Sequence, residues 1–155
     1  MYTYADCLRM LEAFKSLSTY TDENNVVKNN YFGSDTFKIA KAMKQLNVIE
    51  REFLEFRDEI VKKHNPENAT QVSDVIRKAI EEEYVVLLRT PIVDIQLPMI
   101  QYDNIMSKGN CISASTIVEL LDLITDIREE NYDGTGRLRK VIYNTEHSDS
   151  NSSDS

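Results

Sequence analysis

Residues 34–64 read SDTFKIAKAMKQLNVIEREFLEFRDEIVKKH, and the next two residues are Asn65-Pro66. No Gly or Pro interrupts the stretch. A proline lacks the amide donor that a helix interior needs, and its ring collides with the preceding turn. The stretch therefore predicts one helix, capped by Ser34 or Asp35 and stopped at Asn65-Pro66. Its apolar positions Ile39, Ala42, Leu46, Ile49, Phe53, Phe56 and Ile60 alternate steps of three and four, the spacing that keeps one seam toward a partner helix. The opposite face pairs Asp58 with Lys62 and Glu59 with Lys63, acid-first at i,i+4, each worth roughly 0.2–0.5 kcal/mol. At ~1.5 Å per residue such a helix is about 45 Å long, more than a compact domain can wrap, so it wants an antiparallel partner.

The partner is expected next in sequence. After the turn 64–68, residues 69–88 place Val72, Val75 or Ile76, Ala79, Ile80, Tyr84 and Leu87 on one stripe, and short connections join antiparallel neighbours. Upstream, residues 2–18 carry Tyr4, Leu8, Leu11, Phe14 and Leu17 or Ser18 at helical steps, with Thr3 as N-cap. Residues 19–33 are polar, asparagine-rich and aperiodic, which reads as a loop, with Val26, Val27, Tyr31 and Phe32 tucked onto the core. Past Pro91 the period becomes two. Val93, Ile95, Leu97 and Met99 fall on one face, predicting a strand that Pro98 ends or places at an edge. Residues 103–111 read as a loop. Ser113 starts a helix toward Arg128 with Ile117, Leu120, Leu121 and Ile124 inward. A turn at 133–136 precedes a possible short strand over 137–143, and residues 144–155 (NTEHSDSNSSDS) offer nothing to bury.

The fold class predicted is α+β, mainly α. A long antiparallel helical hairpin carries an additional N-terminal helix, a small antiparallel sheet and a C-terminal helix. Residues 1–143 form a single domain and 144–155 a disordered acidic, Ser-rich tail. The bulk composition agrees: 155 residues with 41% apolar and 28% charged side chains are those of an ordinary globular chain. Four Gly and three Pro are too few for a turn-rich β-sandwich. Cys7 and Cys111 are isolated, without a CxxC or metal-like spacing, and neither a signal peptide nor an apolar run of ~18–20 residues is present. Free thiols, no membrane span and a cytoplasmic setting are expected.

The formal net charge of −8 divides as −1 over residues 1–34, +1 over 35–65, −4 over 66–106 and −4 over 107–155. An acidic chain repels nucleic-acid phosphate unless it carries a compact basic patch, and the best one, Arg137, Arg139 and Lys140, is small. Nucleic acid is therefore not an expected partner.

One ordering of residues is familiar. Phe37-Lys38-Ile39-Ala40-Lys41 opens the long helix, Glu50, Phe53, Phe56-Arg57 and Ile60-Val61-Lys62-Lys63 continue it, a second helix and a strand at 91–97 follow, and Ile112-Ser113-Ala114-Ser115 opens a helix reaching Leu120, Leu123 and Ile124. Over about residues 4–127 the chain resembles an uncharacterised family of small proteins from phages and prophages of Gram-positive bacteria. In that family the last helix opens on Ile-Ser-Pro-Ala-Glu-Leu; here Ala114-Ser115-Thr116 stands in its place and removes the capping box. The loop at 19–33 is longer, and 128–155 have no counterpart. The resemblance implies a phage origin and a helical hairpin packed on a small sheet. It implies no activity, since it brings no catalytic motif.

The chemistry-bearing residues are few. His64 ends the long helix, where an imidazolium would suit the dipole's negative end, and His147 lies in the tail, so nucleophilic triads have nothing to build on. Glu81-Glu82-Glu83 splays its carboxylates ~100° apart around a helix, a solvated face rather than a metal site. Asp122, Asp126 and Glu129 share a helix side and read as exposed. Gly134-Thr135-Gly136-Arg137 lacks the Lys-Ser/Thr of a phosphate loop. No enzyme, cofactor or metal is expected.

What remains is surface for a protein partner or a second copy. If the second helix leaves part of the seam uncovered, Ile39 and Met43, or Phe53, Phe56 and Ile60, would present an apolar stripe for docking. The expected role is a non-enzymatic phage accessory or assembly protein, in the host cytoplasm or assembled in a virion. The alternative is an acidic inhibitor that mimics nucleic acid and blocks a host nuclease or defence enzyme. A third reading needs a ligand pocket between sheet and hairpin.

Overall fold

The computed structural model describes residues 1–125. Thr3 starts the first helix, α1 (Tyr4–Ser18), through a reciprocal capping box. The Asp6 amide donates to Thr3 Oγ1, and the Thr3 amide donates to Asp6 Oδ2 at 2.9 Å. The helix buries Tyr4, Cys7, Met10, Leu11, Ala13, Phe14 and Leu17, a wide stripe that makes it the centre of the core. The segment expected to be a loop then folds into a short antiparallel hairpin, β1 (Thr19–Thr21) with β2 (Val27–Asn29). Its turn closes on Asp22, whose Oδ1 accepts from the Asn24 and Val26 amides, both at 2.9 Å, while Asn25 adopts a left-handed φ of 59°. Phe32 enters the core as expected, but Val26, Val27 and Tyr31 face solvent. The antiparallel sheet thus exists, built from residues whose polarity disguised it.

A tight turn over Gly33–Asp35 leads into the long helix, α2 (Thr36–His64). Gly33 sits at φ +56°, and a Cβ there would come within 3.2 Å of Asn104 Oδ1. The seam is real: Ile39, Ala42, Leu46, Ile49 and Phe53 are buried along it. Its chief partner, however, is α1 rather than the next helix. The two run antiparallel, with the Tyr4 and Phe53 rings 5.6 Å apart at one end and Ser18 Oγ 3.3 Å from Met43 Sδ at the other.

The following helix, α3 (Asp74–Leu88), takes only the far part of the seam. It starts later than residue 69 because Asn65 exchanges two 3.0 Å hydrogen bonds with the Ala69 backbone, and Asn68 takes φ 57°. Ser73 supplies the first side-chain cap, on the Ile76 amide. α3 closes on α2 through the Phe53–Tyr84 ring contact at 5.6 Å and through Glu83, which accepts from Lys63 Nζ at 2.7 Å and lies 2.8 Å from His64 Nε2.

The strand expected at 93–99 is absent. Pro91 makes a single bridge with Thr3, the Ile92 amide donates to Tyr2 O at 2.7 Å, and Asp94 then turns with φ 67°. That left-handed residue breaks the period-two alternation. Ile92, Ile95 and Leu97 pack against the core, whereas Val93 and Met99 are exposed. Strand pairing comes afterwards, where β3 (Ile100–Gln101) pairs in parallel with β4 (Ile124–Thr125). Between them the expected loop contains a turn of helix, α4 (Tyr102–Ile105), with Tyr102 and Ile105 buried.

Ser113 caps α5 (Ala114–Glu119) as expected, accepting from the Thr116 amide. The helix stops well short of residue 128, because a 3₁₀ turn over Leu121–Leu123 tightens the chain. Leu120, Leu123 and Ile124 are thereby buried, while Leu121 turns out. The 133–136 turn, the strand at 137–143, the tail at 144–155, Asp126, Glu129, His147 and the Arg137–Arg139–Lys140 patch lie outside the described residues.

Buried polar side chains lock this arrangement. Asp35 is fully buried. Its Oδ2 accepts from the Gln101 amide at 2.7 Å and Asn104 Nδ2 at 2.8 Å, and its Oδ1 lies 2.7 Å from Lys38 Nζ. Asn30, also buried, donates to Leu17 O and Cys111 O and accepts from the Cys111 amide at 2.9 Å. Asn110 reciprocates: its Oδ1 accepts from the Tyr31 amide at 2.9 Å and its Nδ2 donates to Tyr31 O at 2.8 Å. Two asparagines thus act as spare backbone, satisfying main-chain groups that no strand pairs.

Candidate functional site

The seam residues proposed from sequence for partner binding separate into two groups. Ile39 and Phe53 are each only 3% exposed and are consumed by the core. Met43 is half-buried beside Ser18. Phe56, 40% exposed, and Ile60, half-buried, remain at the surface. The division falls where α1 ends its cover. Past Phe53, α2 contains no buried residue, and neither does any position of α3. Ile60, Val61, Ile76, Ala79 and Ile80 are half-buried yet stand apart from the core cluster, on the arm formed by the end of α2 and by α3. Phe56, Val75, Val85 and Val86 are exposed on it.

At the root of this arm α1, α2 and α3 enclose a groove of about 520 Å³. Its walls are apolar: Tyr4, Phe56, Ile60 and Leu87. The Phe56 ring meets Tyr4 edge-on, centroids 6.4 Å apart at 74°. Around it stand Glu52, Glu59, Lys63 and Glu83. Glu52, Phe56 and Glu59 are spaced i, i+4 and i+7, which puts all three on one helix face. Lys63 and His64 hydrogen-bond Glu83, and they hold its carboxyl below the usual carboxylate range against the modest opposing pull of desolvation. Burial pushes the Tyr4 phenol up, and the neighbouring Glu52 carboxylate pushes it further. The i,i+4 pairs expected on the opposite face do not form: Lys63 binds Glu83 rather than Glu59, Asp58 pairs with Arg57, and Glu59 lies on the Phe56 side at the groove. Glu52 faces the Tyr4 phenol, and neither Glu52 nor Glu59 has an ion-pair partner among the described residues.

Periodicity named Phe56 and Ile60 for partner binding and placed Tyr4 and Leu87 on the apolar stripes of other helices, but it did not bring the three helices together; Glu83 read as part of a solvated run, and Glu52 was not singled out. The signal that could have found Glu52, and with it the groove role of Glu59, is the Glu52-x₃-Phe56-x₂-Glu59 spacing. The groove lies among helices, not between sheet and hairpin. Another depression, of about 440 Å³, lies between α1 and α5 and is lined by Leu8, Arg9, Glu12, Ala13 and Glu119 among others.

His64 is engaged with Glu83 and lies apart from both thiols, which differ sharply in setting. Burial, with a smaller contribution from the Asp6 charge, pushes Cys7 up to about 11, so the buried thiol stays protonated and inert. Cys111 is exposed. A chromogenic disulfide reagent is expected to modify Cys111 at once and Cys7 only after denaturant is added. Rapid reaction of both in buffer would contradict the packing of Cys7.

Among the described residues no three His, Cys, Asp or Glu side chains gather into a metal-holding group, and no helix is long and apolar enough to cross a membrane. No family model, curated protein or solved structure matches the chain.

Proposed function

We propose that the chain is a non-enzymatic phage accessory or assembly protein that acts by protein–protein contact through the open side of its helical hairpin. The phage setting rests on the sequence resemblance. The mode of action rests on one observation: the arm formed by the end of α2 and by α3 buries no residue of α3, although nine of that helix's fifteen side chains are Val, Ile, Leu, Ala or Tyr. An amphipathic helix draws most of its stability from packing its apolar face, and here that packing is half complete. A partner laid along the arm would finish it, the helix-in-groove mode of recognition. The nucleic-acid-mimic alternative gains no continuous acidic stripe from the arm, because Arg57, Lys63 and Arg77 sit among its acids and pair with Asp58, Glu83 and Asp74.

The test uses Val75→Asp with Val86→Asp, both exposed positions (79% and 68%) where a charge leaves the fold intact. Wild-type protein is expected to self-associate in light-scattering chromatography, or to retain a bound protein when purified from its host, and the double variant to lose that association. A monomeric wild type whose captured proteins are the same as the variant's would overturn the reading.

A further inference from the structure

The groove at the root of the arm has a chemistry of its own. Glu52, Phe56 and Glu59 share one face of α2 at the groove, and the two glutamates stand seven residues apart, about 10.5 Å along the axis at ~1.5 Å per residue. Across from them Glu83 is neutralised by Lys63, at 2.7 Å. The floor is aromatic and aliphatic. A neutral apolar ligand would make no use of the two exposed carboxylates at its edge, and an acidic one would be repelled by them. A cationic side chain is matched twice, by the carboxylates and by the ring face of Phe56, toward which a guanidinium or ammonium is drawn by the ring quadrupole.

We infer that this groove receives a basic amphipathic segment of a partner protein, its apolar side on Tyr4, Ile60 and Leu87 and its Arg or Lys between Glu52 and Glu59. The inference rests on the docking reading above and supplies the partner's charge. Spacing on the groove side sets spacing on the partner: cations one or two helical turns apart would reach both glutamates.

The experiment titrates the full-length chain into three fluorescently labelled fourteen-residue amphipathic helical peptides, Leu/Arg, Leu/Ser and Leu/Glu, and follows anisotropy. The Leu/Arg peptide is expected to bind most tightly and to weaken with added salt, since exposed pairs are screened. The variant Glu52→Gln/Glu59→Gln is expected to lower its affinity about tenfold, the effect of losing two exposed pairs near the upper end of their range. Because the whole chain is acidic, Glu23→Gln/Glu67→Gln removes the same charge away from the groove and should leave affinity within about twofold. Equal losses in the two double variants, or equal binding of Leu/Ser and Leu/Arg, would overturn the groove assignment. The docking reading fails separately: it falls with the Val75→Asp/Val86→Asp measurement, whatever the peptides do.

Discussion

Asp35→Ala is expected to destabilise the protein by about 3–5 kcal/mol, the range for removing one partner from a buried, hydrogen-bonded charge. At ~2–4 °C per kcal/mol for a chain of this size, Tm falls by roughly 10 °C. Asp35 does not cap α2 through its side chain, although it stands at the N-cap position. It reaches sideways instead, to the Gln101 amide and Asn104 side chain, and so fastens the start of the long helix to β3 and α4. Its loss strands the Gln101 amide, while the half-exposed Lys38 ammonium keeps solvent and the Met99 carbonyl, 3.4 Å away.

The same residue makes stability depend on pH in a defined direction. Burial would raise its pKa, but the Lys38, Asn104 and Gln101 hydrogen bonds outweigh burial and hold it below 3.8. A folded pKa below the unfolded one means the contribution is fully present above 3.8 and is lost as pH falls through the folded value. Asp35→Asn should therefore cost stability at neutral pH and flatten the acid limb of a stability–pH curve. Chemical denaturation at several pH values between about 2 and 7 measures both effects. An unchanged midpoint at neutral pH would show that the Asp35 links are dispensable.

Phe53→Ala is expected to cost about 3–5 kcal/mol, the usual range for emptying a buried aromatic site, whereas Phe56→Ala should cost about 1 kcal/mol or less, close to the worth of an edge-on ring contact. The two residues are three apart on one stripe and look equivalent in sequence. In the fold, Phe53 touches Tyr4 of α1 and Tyr84 of α3, joining three helices with one ring. Removing it should release α3 before the rest unfolds, because no residue of α3 is buried. Hydrogen exchange would then show residues 74–88 losing protection while α1 keeps it. Equal costs for the two substitutions would mean that the arm is anchored elsewhere.

Much of the helical framework was legible because its signals are local. The Thr3 cap, the end of α2 at His64 and the Ser113 cap each follow from one or two neighbouring residues. Partner choice was not legible. A heptad seam states that a helix is wanted, and both flanking segments qualify; α1 wins most of the seam because its own stripe is wide enough to bury seven residues. The strand at 93–99 was misread because alternation assumes an extended backbone, which the left-handed Asp94 breaks. Asn30 and Asn110 looked like loop polarity, since their partners lie about eighty residues away. The candidate site was half legible for the same reason: Phe56 and Ile60 follow from period, while the groove needs three helices brought together.

The asparagine clamp bears on how the chain is made. Asn30 and Tyr31 find their partners at Cys111 and Asn110, 81 and 79 positions downstream, and α5 packs against α1 as well. Contacts of such separation slow folding, because the intervening loop must be closed before they form. On the ribosome, α2 can cover its side of α1 once residue 64 has emerged, but the side of α1 that meets α5 and the Asn30–Tyr31 segment wait uncovered until residues 110–119 are made. The nascent chain is thus most prone to aggregate between these events, and a stop codon before residue 110 would fix it in that state.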